Sequence, residues 1–196
     1  MQVEYTAAQA ALRSEFRAYL AGLMSPEERE QLSHNREGGE LYRTVIRRMG
    51  EAGWLTPGWP VEYGGRALDP LAQKILLEEL WLAETPFPFV TVNTIGPALI
   101  RRGTAEQKRE FLPRIARGEI TFAVGYTEPT AGSDLASLKT RAERDGDHFI
   151  INGQKIFTSG AQSADYVWLA ARTDPNAPPH KGITLFVMDT RLPGFS

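Results

Sequence analysis

The chain has 196 residues, of which 42% are hydrophobic, with 22 Lys and Arg against 24 Asp and Glu. The formal net charge of −2 excludes non-specific binding to a nucleic-acid backbone as a default function. The absence of cysteine excludes disulfides, thiolate catalysis and cysteine-based metal sites.

The sequence shows no pattern typical of a membrane span, a secretory signal or a metal site. The longest uncharged run, residues 85–100, is interrupted by Pro86, Pro88 and Pro97, so it is too short and too broken to span a bilayer. The first five residues lack the basic start and apolar stretch of a secretory signal. We therefore expect a cytoplasmic protein without a metal site, since no ligand spacing relates its histidines, His34, His148 and His180.

The region before residue 118 carries the apolar periodicity of helices, over residues 12–23, 41–49, 71–82 and 111–115. Ser25, Asp69 and Thr104 are N-cap candidates that begin helices, with a Glu or Gln three residues after Ser25 and Thr104. Gly53 is a candidate helix stop. Pro113 is predicted to kink or shorten the last helix.

After Gly118 the apolar period falls towards two, which predicts strands within residues 120–127, 138–144, 148–151, 154–158, 165–172 and 182–188. Asp145-Gly146 predicts a turn, residues 172–181 a loop, and Asn152-Gly153 a tight hairpin. Helices followed by antiparallel strands predict an α+β chain of two domains, an all-α domain over 1–118 and a β-domain over 119–196.

The loop over residues 126–134, directly after the first predicted strand, carries the strongest chemical signal. Its small residues allow a close approach of the backbone, and Thr127 and Ser133 offer hydroxyl groups to a phosphate-bearing cofactor. An ordinary turn capped by Ser133 or Asp134 is the alternative. The loop lacks the glycines of a dinucleotide-binding fingerprint, which argues against NAD.

Several separated motifs carry a family resemblance. Residues 127–134 read Thr-Glu-Pro-Thr-Ala-Gly-Ser-Asp, and residues 153–160 read Gly-Gln-Lys-Ile-Phe-Thr-Ser-Gly. The segments 58–65, 103–113 and 165–168 carry further motifs. All of these motifs follow one another along the chain in the same order as in the acyl-CoA dehydrogenase family, which the chain resembles from about residue 10 to the end.

The resemblance implies an N-terminal helical domain, a middle β-barrel domain and a C-terminal helical bundle, with FAD bound between the last two. In this family a glutamate removes the α-proton of an acyl-CoA substrate while the β-hydride passes to flavin N5. The product is a trans-2-enoyl-CoA, and an electron-transfer flavoprotein accepts the electrons. Members are oligomers, so a homo- or hetero-oligomer is implied.

The resemblance assigns the first flavin-binding stretch to residues 124–133, with Val124, Tyr126, Thr127, Gly132 and Ser133 as cofactor-binding residues. Thr127 matches the hydroxyl at the polar edge of the isoalloxazine. Ser133 matches the residue at the FAD pyrophosphate and at the CoA limb, so it is implied to bind substrate as well.

The second motif adds Phe157, Thr158 and Ser159 as cofactor-binding residues by the same resemblance. Phe157 stands where the family commonly has a Trp that packs on the flavin, and Ser159 where a hydroxyl reaches flavin N5. The alternatives are a core aromatic of the barrel for Phe157 and a turn residue for Ser159. Glu128 is expected to be a structural loop carboxylate that binds backbone N–H groups.

The chain stops, at residues 192–196, at a point that lies inside the β-domain in this family. We therefore expect a truncated β-domain, and a catalytic base supplied from outside these 196 residues. Three functions remain open: a fragment or subunit of an FAD-dependent acyl-CoA dehydrogenase, an acyl-CoA oxidase-like flavoenzyme, and a non-catalytic subunit of a hetero-oligomer. The segments 59–65 and 155–160 favour the bacterial branch that handles bulky acyl groups such as sterol side chains.

Overall fold

The structure, a computed structural model, describes residues 4–34 and 38–196 and divides the chain into two compact units, Met1–Ile120 and Thr121–Ser196. No helix in these described ranges is long and apolar enough to cross a membrane. The first unit is helical: α1 Ala7–Leu23, α2 Pro26–His34, α3 Gly39–Glu51, α4 Pro70–Leu82, α5 Gly96–Arg102 and α6 Ala105–Ala116. Short 3-10 and π-helical turns lie at Val61–Tyr63 and Thr91–Ile95.

The predicted helix starts are confirmed by their capping hydrogen bonds. The Ser25 hydroxyl accepts from the Glu28 amide at 3.2 Å, and the Glu28 carboxylate accepts from the Ser25 amide at 2.9 Å. Asp69 accepts from the Ala72 amide at 2.8 Å, and Thr104 and Gln107 form the same reciprocal pair at the start of α6. Local polar side chains therefore determine where these helices begin.

Pro113 lies inside α6, which continues to Ala116, and Leu112 and Ile115 on either side of it are fully buried. One region of the helical unit differs from the sequence-based expectation. Residues 91–102 are helical although no helix was predicted there. Gly96, in this stretch, packs against the Trp59 ring so closely that a Cβ would lie 1.8 Å from it.

The second unit is built on one five-stranded sheet, with strands β1 Phe122–Gly125, β2 Arg141–Asp145, β3 His148–Asn152, β4 Tyr166–Arg172 and β5 Ile183–Asp189. The strand β4 is central. It pairs antiparallel with β5 and parallel with β1, while β2 pairs antiparallel with β3 and meets β4 in a parallel contact at Arg141–Arg172. The sheet is therefore mixed, and the prediction of a purely antiparallel domain is wrong for β1 and for the β2–β4 contact. Long connections separate these pairs, so no tight turn determines their direction.

The predicted hairpin at Asn152-Gly153 is also wrong. The chain turns at residues 146–147, between β2 and β3, and Asn152 ends β3. The predicted strand over 154–158 has no regular structure. Glycine is required at position 153 because the backbone there passes close to Thr140, where a Cβ would lie 2.6 Å from Thr140 Cα. The strands predicted over 165–172 and 182–188 are confirmed, as is the loop between them.

Candidate functional site

The loop that leaves β1 folds into a compact turn. The Glu128 amide donates to the Ala131 carbonyl at 2.8 Å, and the Ala131 amide donates back at 3.2 Å. Gly132 and Ser133 follow this turn and are exposed, and a Cβ at position 132 would have no neighbour within 4 Å among the described residues. The predicted phosphate-binding residues thus lie on an open face of the loop.

The Glu128 carboxylate lies beneath this turn and is 5% exposed. It accepts hydrogen bonds from the Lys139 amide at 2.6 Å, the Thr140 amide at 2.8 Å and the Lys155 ammonium at 2.8 Å. Burial alone would raise the pKa of Glu128, but the Lys155 ammonium and the backbone amides outweigh it and lower the pKa to about 2. The expectation of a structural carboxylate is confirmed.

The Lys155 side chain joins the two motifs. Its ammonium donates to the Tyr126 carbonyl at 3.1 Å as well as to Glu128, and the next amide, of Ile156, donates to the Thr127 carbonyl at 2.9 Å. The ion pair is buried, with side-chain exposures of 10% for Lys155 and 4% for Glu128. These bonds bring the second motif beside the first without the predicted hairpin.

The second motif presents an aromatic ring and hydroxyl groups. Phe157 is 85% exposed and has a φ of +56°, a backbone conformation that costs energy for any residue except glycine. The alternative interpretation of Phe157 as a core aromatic is therefore wrong. Thr158 Oγ1 is buried without a hydrogen-bond partner in the described part of the chain. Ser159 is exposed and lies in the turn that follows, as its alternative interpretation expected.

The remaining predicted residues lie at the end of β1. Val124 is half-buried and faces Trp168 of β4 in the parallel register. The Trp168 indole donates to the Tyr126 hydroxyl at 3.0 Å, which fixes the ring of Tyr126. Trp168 and Lys155 both lie within the family motifs, yet their structural roles depend on partners distant in sequence. Residue spacing therefore carried no signal for either role.

A groove of about 1080 Å³ lies in the same unit, between the β2–β3 hairpin and the loop after β4. Its walls carry basic, acidic and aromatic side chains, from Lys139, Arg141, Arg144, Arg172, Asp134, Glu143 and Phe149, with an ion pair between Arg141 and Glu143 at 3.1 Å. Arg172 braces one wall through hydrogen bonds to the carbonyls of Ala136 at 2.7 Å and Leu138 at 3.3 Å. Such a groove suits an anionic ligand that carries a ring.

Comparison with known proteins places these motifs in a family. Residues 6–119 match the model of the acyl-CoA dehydrogenase N-terminal domain, and residues 123–196 match that of the middle domain. The chain belongs to the acyl-CoA dehydrogenase family. The acyl-CoA dehydrogenase FadE29 of Mycobacterium tuberculosis is 53% identical over the whole chain. The chain spans about half the length of curated relatives such as FadE29 and FadE26 of Mycobacterium tuberculosis, 50% in each case.

Solved structures of this family share the fold of the chain. The structure titled "Tcur3481-Tcur3483 steroid ACAD" has a TM-score of 0.93 at 54% identity, over all of this chain and 51% of that one. The ChsE4-ChsE5 complex from Mycobacterium tuberculosis has a TM-score of 0.90 at 50% identity, over 97% of this chain and 49% of that one. A glutaryl-CoA dehydrogenase from Mycobacterium smegmatis, solved in complex with FADH2, has a TM-score of 0.80 at 26% identity, over 98% of this chain and 48% of that one.

Proposed function

We propose that this chain forms part of an FAD-dependent acyl-CoA dehydrogenase, which converts an acyl-CoA thioester to its trans-2-enoyl-CoA. The observation that carries the proposal is the exposed, strained Phe157 next to the buried, unpartnered hydroxyl of Thr158. Among the described residues Glu84 has a similar φ and the Thr85 hydroxyl is likewise buried without a partner, so the distinguishing feature of Phe157 is its aromatic ring, which is 85% exposed and can stack on a ligand. The family membership and the FADH2 complex of a relative support the same cofactor.

The described residues fit one wall of a flavin site. Phe157 offers an aromatic face, Thr158 and Ser159 offer hydroxyls, and Thr127 lies beside them through its hydrogen bond to Ile156. On the open loop, Gly132 and Ser133 leave space for a pyrophosphate. Val124 and Tyr126, at the end of β1, complete the set that would hold FAD.

Bound FAD would supply an acceptor for the hydride that leaves the substrate β-carbon. The residues of this chain would bind and orient it: Phe157 by stacking, and Ser159 by donating a hydrogen bond where negative charge develops. Glu128 does not serve as the base, because three donors surround its carboxylate and its pKa is about 2. The base is thus proposed to come from another segment or subunit.

Substrate binding is assigned to Ser133 and to the basic groove. Ser133 is exposed on the open face of the loop, and the groove walls include Asp134 next to it. The arginine and lysine side chains of the groove fit the phosphates of CoA, and Phe149 fits its adenine ring. A sterol-derived acyl chain is the proposed substrate class, because a similar structure is titled a steroid ACAD.

The assembly is proposed to be a hetero-oligomer, with an electron-transfer flavoprotein as the electron acceptor. Two similar structures are named by two proteins each, and one title states a complex. The same names favour a second candidate, in which this chain belongs to a non-catalytic subunit that completes a site on its partner.

The test uses the intact assembly that contains this chain, with FAD content and turnover as readouts. We expect bound FAD, turnover of a sterol side-chain acyl-CoA with an artificial acceptor, and slow reduction of oxygen. Phe157→Ala should weaken FAD binding, whereas the control Trp81→Ala, which also removes a largely exposed ring, should not. A colourless assembly that cannot be loaded with FAD would refute the proposal. Rapid oxygen consumption would favour an oxidase. FAD content and turnover that stay unchanged in Phe157→Ala would favour the second candidate, in which the flavin lies on the partner.

A further inference from the structure

The segment over residues 153–158 is held without a strand ladder. It has no regular secondary structure, and hydrogen bonds from Lys155 and Ile156 attach it to the carbonyls of Tyr126 and Thr127 and to the Glu128 carboxylate. An irregular segment of this kind keeps a defined position only where side chains replace the missing ladder. Phe157 lies in this segment directly after Ile156, so its position depends on these attachments.

The Glu128 carboxylate also binds a third segment. Its oxygens accept from the amides of Lys139 and Thr140, which precede β2, as well as from Lys155. One buried group therefore fixes three stretches of chain that are distant in sequence. Removing either charge would leave the other buried and unpaired, which is strongly unfavourable.

The strain at Phe157 indicates that this support matters. A non-glycine residue at a φ of +56° persists only where the surrounding structure over-determines its conformation. The ring itself is 85% exposed, so its own packing supplies little of that restraint. The restraint comes from the backbone on both sides: Lys155 and Ile156 are anchored before it, and the Thr158 carbonyl accepts from the Ala161 amide at 3.1 Å after it.

We infer that Glu128 and Lys155 are positioning residues, which hold Phe157 and Ser159 at the distance from the loop over residues 126–133 that the cofactor requires. The inference rests on the proposed function, since it presumes that these residues face FAD. It predicts that breaking the ion pair lowers FAD affinity through geometry, although neither side chain touches the cofactor.

The experiment compares variants of the intact assembly in their dissociation constant for FAD, at a temperature where circular dichroism shows each to be folded. Glu128→Gln and Lys155→Met should each weaken FAD binding by about tenfold or more, since a hydrogen bond to a charged group contributes on the order of ten- to a hundredfold to an equilibrium constant. Lys155→Arg retains the positive charge and should recover much of the affinity.

The matched control is Glu79→Gln in the helical unit. Glu79 is also buried and paired with basic side chains, and its pKa is also about 2, but it lies on α4. It should lower the melting temperature while leaving FAD affinity and the flavin absorption spectrum unchanged. An equal loss of FAD affinity in the control would mean that the effect is general destabilisation, and would overturn the inference.

The remaining outcomes separate this inference from the proposed function. A wild-type assembly that binds no FAD refutes both. A wild type that binds FAD, with Glu128→Gln and Lys155→Met binding it equally well, refutes the positioning role alone. If Glu128→Gln does not fold, Lys155→Met decides, because it leaves the carboxylate bound to the amides of Lys139 and Thr140.

Discussion

Two buried carboxylates, one in each unit, have the same electrostatic character and different partners. Glu79 is 2% exposed and Glu128 is 5% exposed. Hydrogen bonds from the Arg17 guanidinium, and secondarily from Arg13, hold the pKa of Glu79 at about 2 against the opposing effect of burial. Glu128 reaches the same pKa with two backbone amides and one lysine.

The difference lies in what each carboxylate connects. Glu79 joins α4 to α1, two helices whose backbones are already satisfied and whose apolar faces already pack. Its arginine partners are 33% and 59% exposed, so water can replace the carboxylate. Glu128 connects irregular segments, and its donors at Lys139 and Thr140 are backbone amides, which cannot turn into solvent as an arginine side chain can. A similar charge thus reinforces secondary structure in one unit and replaces it in the other.

The largest expected effect is that of Glu128→Ala. The substitution leaves the Lys155 ammonium and the amides of Lys139 and Thr140 without their acceptor, and breaking a buried pair in this way costs about 3–5 kcal/mol. Thermal unfolding followed by circular dichroism measures the loss, and hydrogen exchange of the two amides locates it. The exposed ion pair of Glu143 with Arg141 provides the control, since Glu143→Ala should change stability by less than about 1 kcal/mol. A loss no larger than in this control would contradict the comparison.

Glu79→Ala should have a smaller effect, about 1.5–3 kcal/mol, the usual contribution of a hydrogen bond to a charged group. Arg13 and Arg17 can turn into solvent once the carboxylate is gone, so no charge remains buried. The same unfolding measurement applies, with hydrogen exchange followed in α1. If this variant were as unstable as Glu128→Ala, the proposed distinction between side-chain and backbone partners would be wrong.

The contrast between the units also describes what the sequence could predict. The helix starts at Ser25, Asp69 and Thr104 were predictable because each cap and its amide are three residues apart. The helical region over 91–102 was not, since its Gly and Pro residues suggest loops and its stability comes from packing such as that of Gly96 on Trp59.

Similar limits applied at the candidate site. Asn152-Gly153 has the sequence of a hairpin turn, but Gly153 is needed for its close approach to Thr140, which no local rule can reveal. The pairing of Lys155 with Glu128 spans 27 residues and was equally invisible to spacing. The family motifs did identify both stretches, because they record residues that belong together irrespective of their distance along the chain.

The acid dependence of stability should reflect both carboxylates. Their pKa values fall from an ordinary 4.5 to about 2 on folding, so the unfolded chain binds more protons between these values. Their stabilisation is therefore fully present above about pH 4.5 and is lost as the pH falls towards 2. Unfolding free energies measured across this window should decline less steeply in Glu79→Gln and in Glu128→Gln than in the wild type. An unchanged slope in either variant would show that its carboxylate titrates normally.

The smallest expected effect is that of Thr104→Ala, which removes a neutral acceptor from the exposed start of α6. The Thr104 hydroxyl accepts from the Gln107 amide at 3.2 Å, much as Glu128 accepts from Lys139 and Thr140, but without charge or burial. The loss of such a cap costs about 1 kcal/mol, and Thr104→Ser should restore most of it. Both variants are measured by thermal unfolding. The freed amide at position 107 is exposed to water, whereas Glu128→Ala removes a charged acceptor of three hydrogen bonds, of which that from the Thr140 amide is buried, so its loss should be several times larger. A ratio of the two losses near one would mean that water enters beneath the loop when the carboxylate is removed, and that the segments around Phe157 are held by something other than Glu128.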